Sequence, residues 1–283
     1  MTSDQINMKN NTLYLLLCLI CSSSLSAQSI HYNYNSDNFV RLEYNRPILN
    51  DFGEDFFTFA SFLAGEFRVG NQGKIAVEIP FSRLGGSFGF DSNTAIGNIG
   101  VGYQFRNFDT SNYFEVKFRL PTLGDNNLAA SSISLVTDFT ERLTSSIPST
   151  FSIESSYNLE SNSYLGLYYR FRPQLLLLIS SDTDTELLLN LNLIGGYRTP
   201  DIDINAGITT STLITESNVD FDDRVLRQIS TSFTYNAGQL KPGVLLRAPI
   251  SGGVINDVYD ISCLLYTSPS PRDLSTSRMP SSA

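Results

Sequence analysis

Residues 74–81 read Lys-Ile-Ala-Val-Glu-Ile-Pro-Phe, residues 97–106 Gly-Asn-Ile-Gly-Val-Gly-Tyr-Gln-Phe-Arg, and residues 113–120 Tyr-Phe-Glu-Val-Lys-Phe-Arg-Leu. Each segment alternates an apolar side chain with a charged, polar or small one. Successive side chains of a strand point to opposite faces, so each segment carries one greasy face and one polar face. This period of two recurs along the chain and predicts twelve strands, at 38–46, 56–69, 73–82, 96–106, 111–121, 149–159, 162–172, 186–198, 201–212, 226–237, 239–250 and 254–262. The run 175–179 is all Leu and Ile, so it is ambiguous and either belongs to a loop or extends the seventh strand. Most of the twelve are close to the 9–11 residues that cross a bilayer as a tilted strand. No run of 18 apolar residues occurs, so no transmembrane helix is expected.

The connections alternate in length. Long ones are expected at 47–55, 83–95, 122–148, 173–185 and 213–225, and short ones at 70–72, 107–110, 160–161, 199–200 and Gly238. The connection 251–253 is short where a long one is due. Short turns at one end and long loops at the other are the signature of a membrane-spanning barrel. With short turns in the periplasm, both termini lie there and the long loops lie outside the cell.

The two ends stand apart from this pattern. Lys9, the apolar stretch 13–20 and Leu25-Ser-Ala27 form a secretory leader over 1–27, with Met8 a better start than Met1. A lipoprotein acylated at Cys21 is the alternative. Cys263-Leu-Leu-Tyr-Thr-Ser-Pro-Ser-Pro-Arg-Asp273 and Ser277-Arg-Met-Pro-Ser-Ser-Ala283 resemble the in-frame translation of a sequencing-library adapter. Residues 263–283 are therefore expected to be a non-native tail on a truncated product, the alternative being a natural Ser/Pro-rich segment. The segment 28–262 holds no Cys, which excludes a disulfide framework and thiol chemistry.

Leader, amphipathic strands and loop rhythm together resemble the β-barrel outer-membrane proteins of Gram-negative bacteria, the porin-like and transporter proteins, over the whole of 28–262. The resemblance implies an all-β fold, a transmembrane antiparallel up-and-down β-barrel of twelve strands with the last one truncated. It also implies outer-membrane lipid around the chain and insertion by the outer-membrane assembly machinery. The chain departs from the pattern in its incomplete last strand and in having no Trp. Tyr44, Phe67, Phe81, Phe105, Tyr197 and Tyr235 would have to supply the interface girdles. The rival fold is a secreted β-sandwich, whose charged face meets water. Long strands, and charges of both signs on nearly every polar face, oppose it.

A net charge of −9 offers nucleic acid no basic surface. One His and three Cys leave little for a zinc site. No Gly-x-Ser-x-Gly elbow, phosphate loop or dinucleotide fingerprint occurs, and no cofactor is implied. His31 precedes the first strand, remote from the outer-leaflet rim where a lipid hydrolase would need its base. No enzymatic activity is expected.

By parity, the face away from lipid carries Arg41, Glu43, Glu66, Arg68, Lys74, Glu78, Gln104, Arg106, Glu115, Lys117, Arg119, Glu154, Arg170, Glu186, Arg198, Asp203, Lys241 and Arg247. Burying these dry costs several kcal/mol each unless they are paired. A water-filled lumen and a salt-bridged plug both answer that cost. Eight strands are filled by their side chains and 16–18 leave an aqueous channel, so twelve lies between. The loops are acidic. Asp182 with Asp184, and Asp220 with Asp222 and Asp223, are weak cation candidates whose spacing matches no known loop, and solvated acidic loops are the plainer reading. In 122–148, Val136, Phe139, Leu143 and Ile147 recur at helical spacing, and Asp138 with Glu141 has capping-box spacing. This segment either constricts the lumen or lies over the rim. The expected function is a passive channel or uptake pore for small hydrophilic solutes. The alternative is a closed structural or adhesive barrel acting through its acidic extracellular loops. Inward Leu188 and Ile194 are too few for an oily path.

Overall fold

The structure is a computed structural model. It describes residues 38–49, 58–85, 92–106, 112–125, 132–133, 137–138, 140–161, 165–180, 184–215, 224–236, 240–251 and 258–267. The strands are β1 (Phe39–Leu49), β2 (Phe59–Val69), β3 (Gly73–Leu84), β4 (Asn93–Ile96), β5 (Gly100–Arg106), β6 (Tyr113–Arg119), β7 (Thr150–Glu160), β8 (Gly166–Ser180), β9 (Glu186–Arg198), β10 (Ile202–Leu213), β11 (Val225–Tyr235), β12 (Leu240–Ser251) and β13 (Val258–Thr267). All pairings are antiparallel. β1 pairs with β2, β2 with β3, β3 with β5, and so on in chain order to β12 with β13, and β13 pairs back onto β1. The pairings return on themselves, so twelve strands form a closed ring. β4 is a short flap on the end of β3.

The twelve expected strands are present, most with ends shifted by up to three residues, and three of them differ further. The fourth is split, because the chain leaves the ladder at 97–99 to seat a loop described below. The seventh runs on to Ser180, so the expected loop 173–185 shrinks to 181–185. Its leucines hide the alternation because both faces are apolar there: Leu176 and Leu178 are buried while Leu175 and Ile179 are exposed. The last strand lies at Val258–Thr267 rather than 254–262. Cys263 to Thr267 pair with Tyr44 to Val40, so these five residues complete the ring.

Outside, the ring is apolar. Leu63, Ile79, Val101, Phe118, Leu193, Ile208, Ile229 and Leu246, from eight strands, are all exposed. A soluble monomer rarely shows so continuous an apolar surface. Aromatic residues gather at both ends of this band. At the short-turn end lie Phe67, Phe105, Phe114, Tyr169, Tyr197 and Tyr235, all exposed. At the long-loop end, Phe59 packs on Tyr44 (ring centroids 4.8 Å) and on Phe81 (5.9 Å), and Phe118 stacks on Phe151. Phe59 and Phe67 bound β2, and a strand of that span tilted by about 45° rises roughly 20 Å along the membrane normal. These rings take the place of the missing Trp. Among the described residues no helix is long and apolar enough to cross a membrane.

Candidate functional site

The interior is the reverse of the outside. Arg41, Glu43, Glu66, Lys74, Glu78, Gln104, Glu115, Arg119, Glu154, Arg170, Arg198, Asp203 and Arg247 are all buried. They meet as ion pairs. Arg119 bridges Glu78 of β3 and Glu154 of β7, at 2.7 Å to each. Arg41 reaches Glu78 at 3.1 Å, and Lys74 reaches Glu66 at 3.5 Å. Gln104 donates to both Glu66 (3.1 Å) and Glu115 (2.8 Å). Half-buried Lys117 lies between Glu115 and Glu154. A second group sits near the short turns, where Arg198 pairs with Glu160 and Asp203, Arg170 pairs with Glu160, and the Tyr168 hydroxyl donates to Asp203. No charge in these groups is left to pay its burial cost alone.

The centre of the ring is occupied by the chain itself. Residues 137–138 and 140–147 come from the longest expected loop, and their contacts reach strands spread around the whole ring. Arg142 pairs with Glu43 of β1 (2.8 Å) and Glu78 of β3 (3.3 Å). The Thr144 hydroxyl donates to Glu154 of β7 (2.7 Å). The Thr140 carbonyl accepts from Asn190 Nδ2 of β9 (2.8 Å), and the Thr140 hydroxyl donates to Gln228 of β11 (2.7 Å). Arg247 of β12 donates to the Thr137 carbonyl at 2.8 Å and lies 3.6 Å from Asp138. A segment that touches β1, β3, β7, β9, β11 and β12 runs across the lumen rather than over its rim. Leu143 and Ile147 pack on the inward leucines Leu176, Leu178 and Leu188.

Locally residues 140–147 form turns rather than a regular helix. The Glu141 N–H donates to Asp138 Oδ1 at 3.2 Å, one arm of the expected capping box, and a 3-10 turn follows at Leu143–Ser145. Val136 and Phe139 lie outside the described residues. Burial disfavours the charge on Arg142, but Glu43, Glu78 and Asp138 outweigh it and raise its pKa. Glu141 shows the opposite balance. Burial, reinforced by Asp138, pushes its carboxyl up to about 7 against the pull of Arg172, Arg142 and Arg247. Neither of its oxygens accepts a hydrogen bond.

The segment is clamped at its base by Asn98. The Asn98 side-chain amide donates to the carbonyls of Thr144 (2.9 Å) and Ile147 (2.6 Å), and its Oδ1 accepts from the Leu123 N–H (3.0 Å). The Asn98 N–H donates to the Ser145 carbonyl. Gly97 makes this approach possible, since a Cβ there would strike the Ser145 carbonyl oxygen and stand 2.9 Å from Pro80 Cβ.

Beyond the Arg198–Asp203 pair, one arc of the wall is uncharged. Asn190 and Asn192 of β9, Asn205, Thr209 and Ser211 of β10, and Gln228 and Ser232 of β11 are all buried. The register sets them side by side, Asn190 opposite Ser211, Asn192 opposite Thr209, Thr209 opposite Gln228 and Asn205 opposite Ser232. Asn192 donates to the Arg172 carbonyl at 3.4 Å. The Oδ1 atoms of Asn190 and Asn192 and the Ser232 hydroxyl are buried without a partner. On the opposite arc, a cleft lined by Arg41, Glu66, Glu78, Glu115 and Lys117 keeps about 20 Å³, room for one or two waters.

Four expected wall residues are placed differently from the rest. Arg68 is exposed at the short-turn end, donating to the Gly70 carbonyl. Glu186 is half-buried at the long-loop end and accepts from Thr215. Lys241 is half-buried, and the side chain of Arg106 lies outside the described residues. Asp184 is exposed, and Asp182, Asp220, Asp222, Asp223 and His31 lie outside the description. Among the described residues no group of three metal-capable side chains occurs. Sequence reasoning missed Asn98, Arg142, Arg172, Asn190, Asn192 and Gln228 as interior residues. Parity on 186–198 pointed inward at Asn190 and Asn192, and the search for charge passed over them.

Solved outer-membrane barrels share this fold. An outer membrane channel from Pseudomonas putida F1 aligns at a TM-score of 0.57 and 8% identity, over 86% of this chain and 99% of that one. The NanC porin aligns at 0.51 and 8% identity, over 82% of this chain and 100% of that one. The KdgM porin aligns at 0.50 and 11% identity, over 82% and 99%. At these identities the likeness is one of fold: a transmembrane antiparallel up-and-down barrel of the outer-membrane type. No family model matches the chain, and no curated protein matches it.

Proposed function

We propose that this barrel is a passive channel for small hydrophilic solutes, closed at rest by residues 137–147. One observation carries the reading. The lumen is obstructed by a loop segment held by hydrogen bonds and ion pairs, and the wall behind that segment is polar apart from the inward leucines that seat it. Twelve strands lie between the roughly eight that side chains fill and the roughly sixteen that leave a channel, and here the centre is filled by a loop segment together with the wall side chains. Arg41, Glu43, Glu66, Lys74, Glu78, Glu115, Lys117, Arg119, Glu154 and Arg247 line the path. The outer membrane is its location, with the N-terminus periplasmic, the long loops extracellular and the assembly machinery as its insertion partner. Residues 1–27 are the leader removed on export, and residues 263–283 are foreign to the native chain, whose own residues would occupy the closing-strand position.

The competing reading is a closed barrel that works through its acidic loops, and the same ion-pair network favours it by holding the segment in place. Osmotic swelling of liposomes separates the two. Folded wild-type protein is expected to admit a small sugar slowly and the Arg142→Ala variant several-fold faster. If both are folded, as a heat-modifiable gel shift shows, and both are impermeable, the channel reading fails.

A further inference from the structure

The uncharged arc has a chemistry of its own, and one plug residue shows what it accepts. Thr140 offers Asn190 a carbonyl acceptor at 2.8 Å and offers Gln228 a hydroxyl donor at 2.7 Å. An acceptor beside a hydroxyl is the pattern that neighbouring hydroxyl groups of a polyol or sugar also present. Beside Thr140 the arc is unfinished, with Asn190 Oδ1 and Asn192 Oδ1 buried and unpartnered, and the unpartnered Ser232 hydroxyl continues the arc along β11, about 13 Å from Gln228. Asn190 and Asn192 are 0% exposed and Ser232 is 3% exposed. Leaving a buried acceptor unpaired is costly, so the docked plug satisfies this surface only in part.

We propose that Asn190, Asn192, Gln228 and Ser232 form a binding station for a neutral polyhydroxylated solute, which takes the place of Thr140. The proposal rests on the channel reading and names its solute class. Solute hydroxyls donate to the two free Oδ1 atoms, and solute oxygens accept from Asn190 Nδ2, which Thr140 gives up. None of these four residues carries a charge, and the nearest cation, Arg172 opposite Asn192, is already engaged by Ser156 and Glu115, so the desolvation of a charged solute is poorly offset there. Because plug and solute use the same two amides, solute binding and plug release are one exchange.

The test is current block in a planar bilayer, with maltose as the neutral probe and lactobionate as its anionic counterpart. The protein is the full chain in a Thr140→Ala background, which removes the competing hydroxyl. Maltose is expected to interrupt the current at lower concentration than lactobionate. Asn190→Leu and, separately, Gln228→Leu are expected to raise the half-blocking maltose concentration about three- to tenfold, with folding checked by heat-modifiable mobility. Equal block by the two sugars, or a half-blocking concentration unmoved in both folded variants, would overturn the station while leaving the channel intact. A folded barrel without any current steps would instead overturn the channel reading, and the station with it.

Discussion

Asn98 and Glu141 act on the plug in opposite senses. Asn98 is fully buried and gives its whole side chain to the backbone at the base of the plug. Asn98→Ala strips hydrogen bonds from buried carbonyls and is expected to destabilise docking by about 2–4 kcal/mol, measured as a rise in the open fraction of single-channel records. Glu141 makes the plug sensitive to pH. Its carboxyl titrates at about 7 when docked, against an ordinary 4.5. Below 4.5 both states hold the proton and docking is independent of pH. Between 4.5 and about 7 the released carboxyl ionises first, so docking weakens as pH rises, and above that range the penalty is complete. Open fraction is therefore expected to fall on acidification from pH 7.5 to 5, and Glu141→Gln to flatten that profile. A profile that stays steep in the Gln variant would place the titration elsewhere. The charged wall was legible residue by residue, because parity alone sends Glu43, Glu78, Arg119 and Glu154 inward. Asn98 was not, because its partners are backbone atoms 25 to 49 residues away, and no side-chain pattern records them.

At the scale of elements, alternation located the strands wherever the two faces differ in polarity, and it failed where they do not. β8 was cut short at 172 because Leu176 and Leu178 face inward onto Leu143 and Ile147, giving the strand two apolar faces. That failure marks the plug's seat: inward leucines in a polar lumen have something apolar to cover. Leu176, 2% exposed, packs in this cluster. Leu176→Ala is expected to cost about 2–4 kcal/mol, read as a lower denaturant midpoint, and to raise conductance. A stability loss without any change in conductance would detach this cluster from gating. The plug itself was visible as a spacing of apolar residues and as half a capping box. Its place in the lumen was not visible, because that depends on which strands the ring brings face to face.

For the whole molecule, the lipid-facing band, the two aromatic belts and the closed pairing from β1 to β13 give one architecture, and the proposed channel adds a second state in which the loop segment leaves the lumen. Docked, the segment joins an ion-paired arc to an uncharged arc. In the proposed channel its release exposes charged residues, amides and the inward leucines Leu176, Leu178 and Leu188. That a chain like this forms an outer-membrane barrel was readable from its period of two. Whether the barrel conducts was not, since twelve strands admit both answers and only the loop decides between them. The direct measurement is single-channel conductance in a planar bilayer, comparing the wild-type chain with a variant in which 137–147 is replaced by a short Gly/Ser linker, both shown to be folded by heat-modifiable mobility. Small, infrequent steps from the wild type and larger, stable steps from the variant are the expected result. A folded variant that passes no current would contradict the gated channel outright.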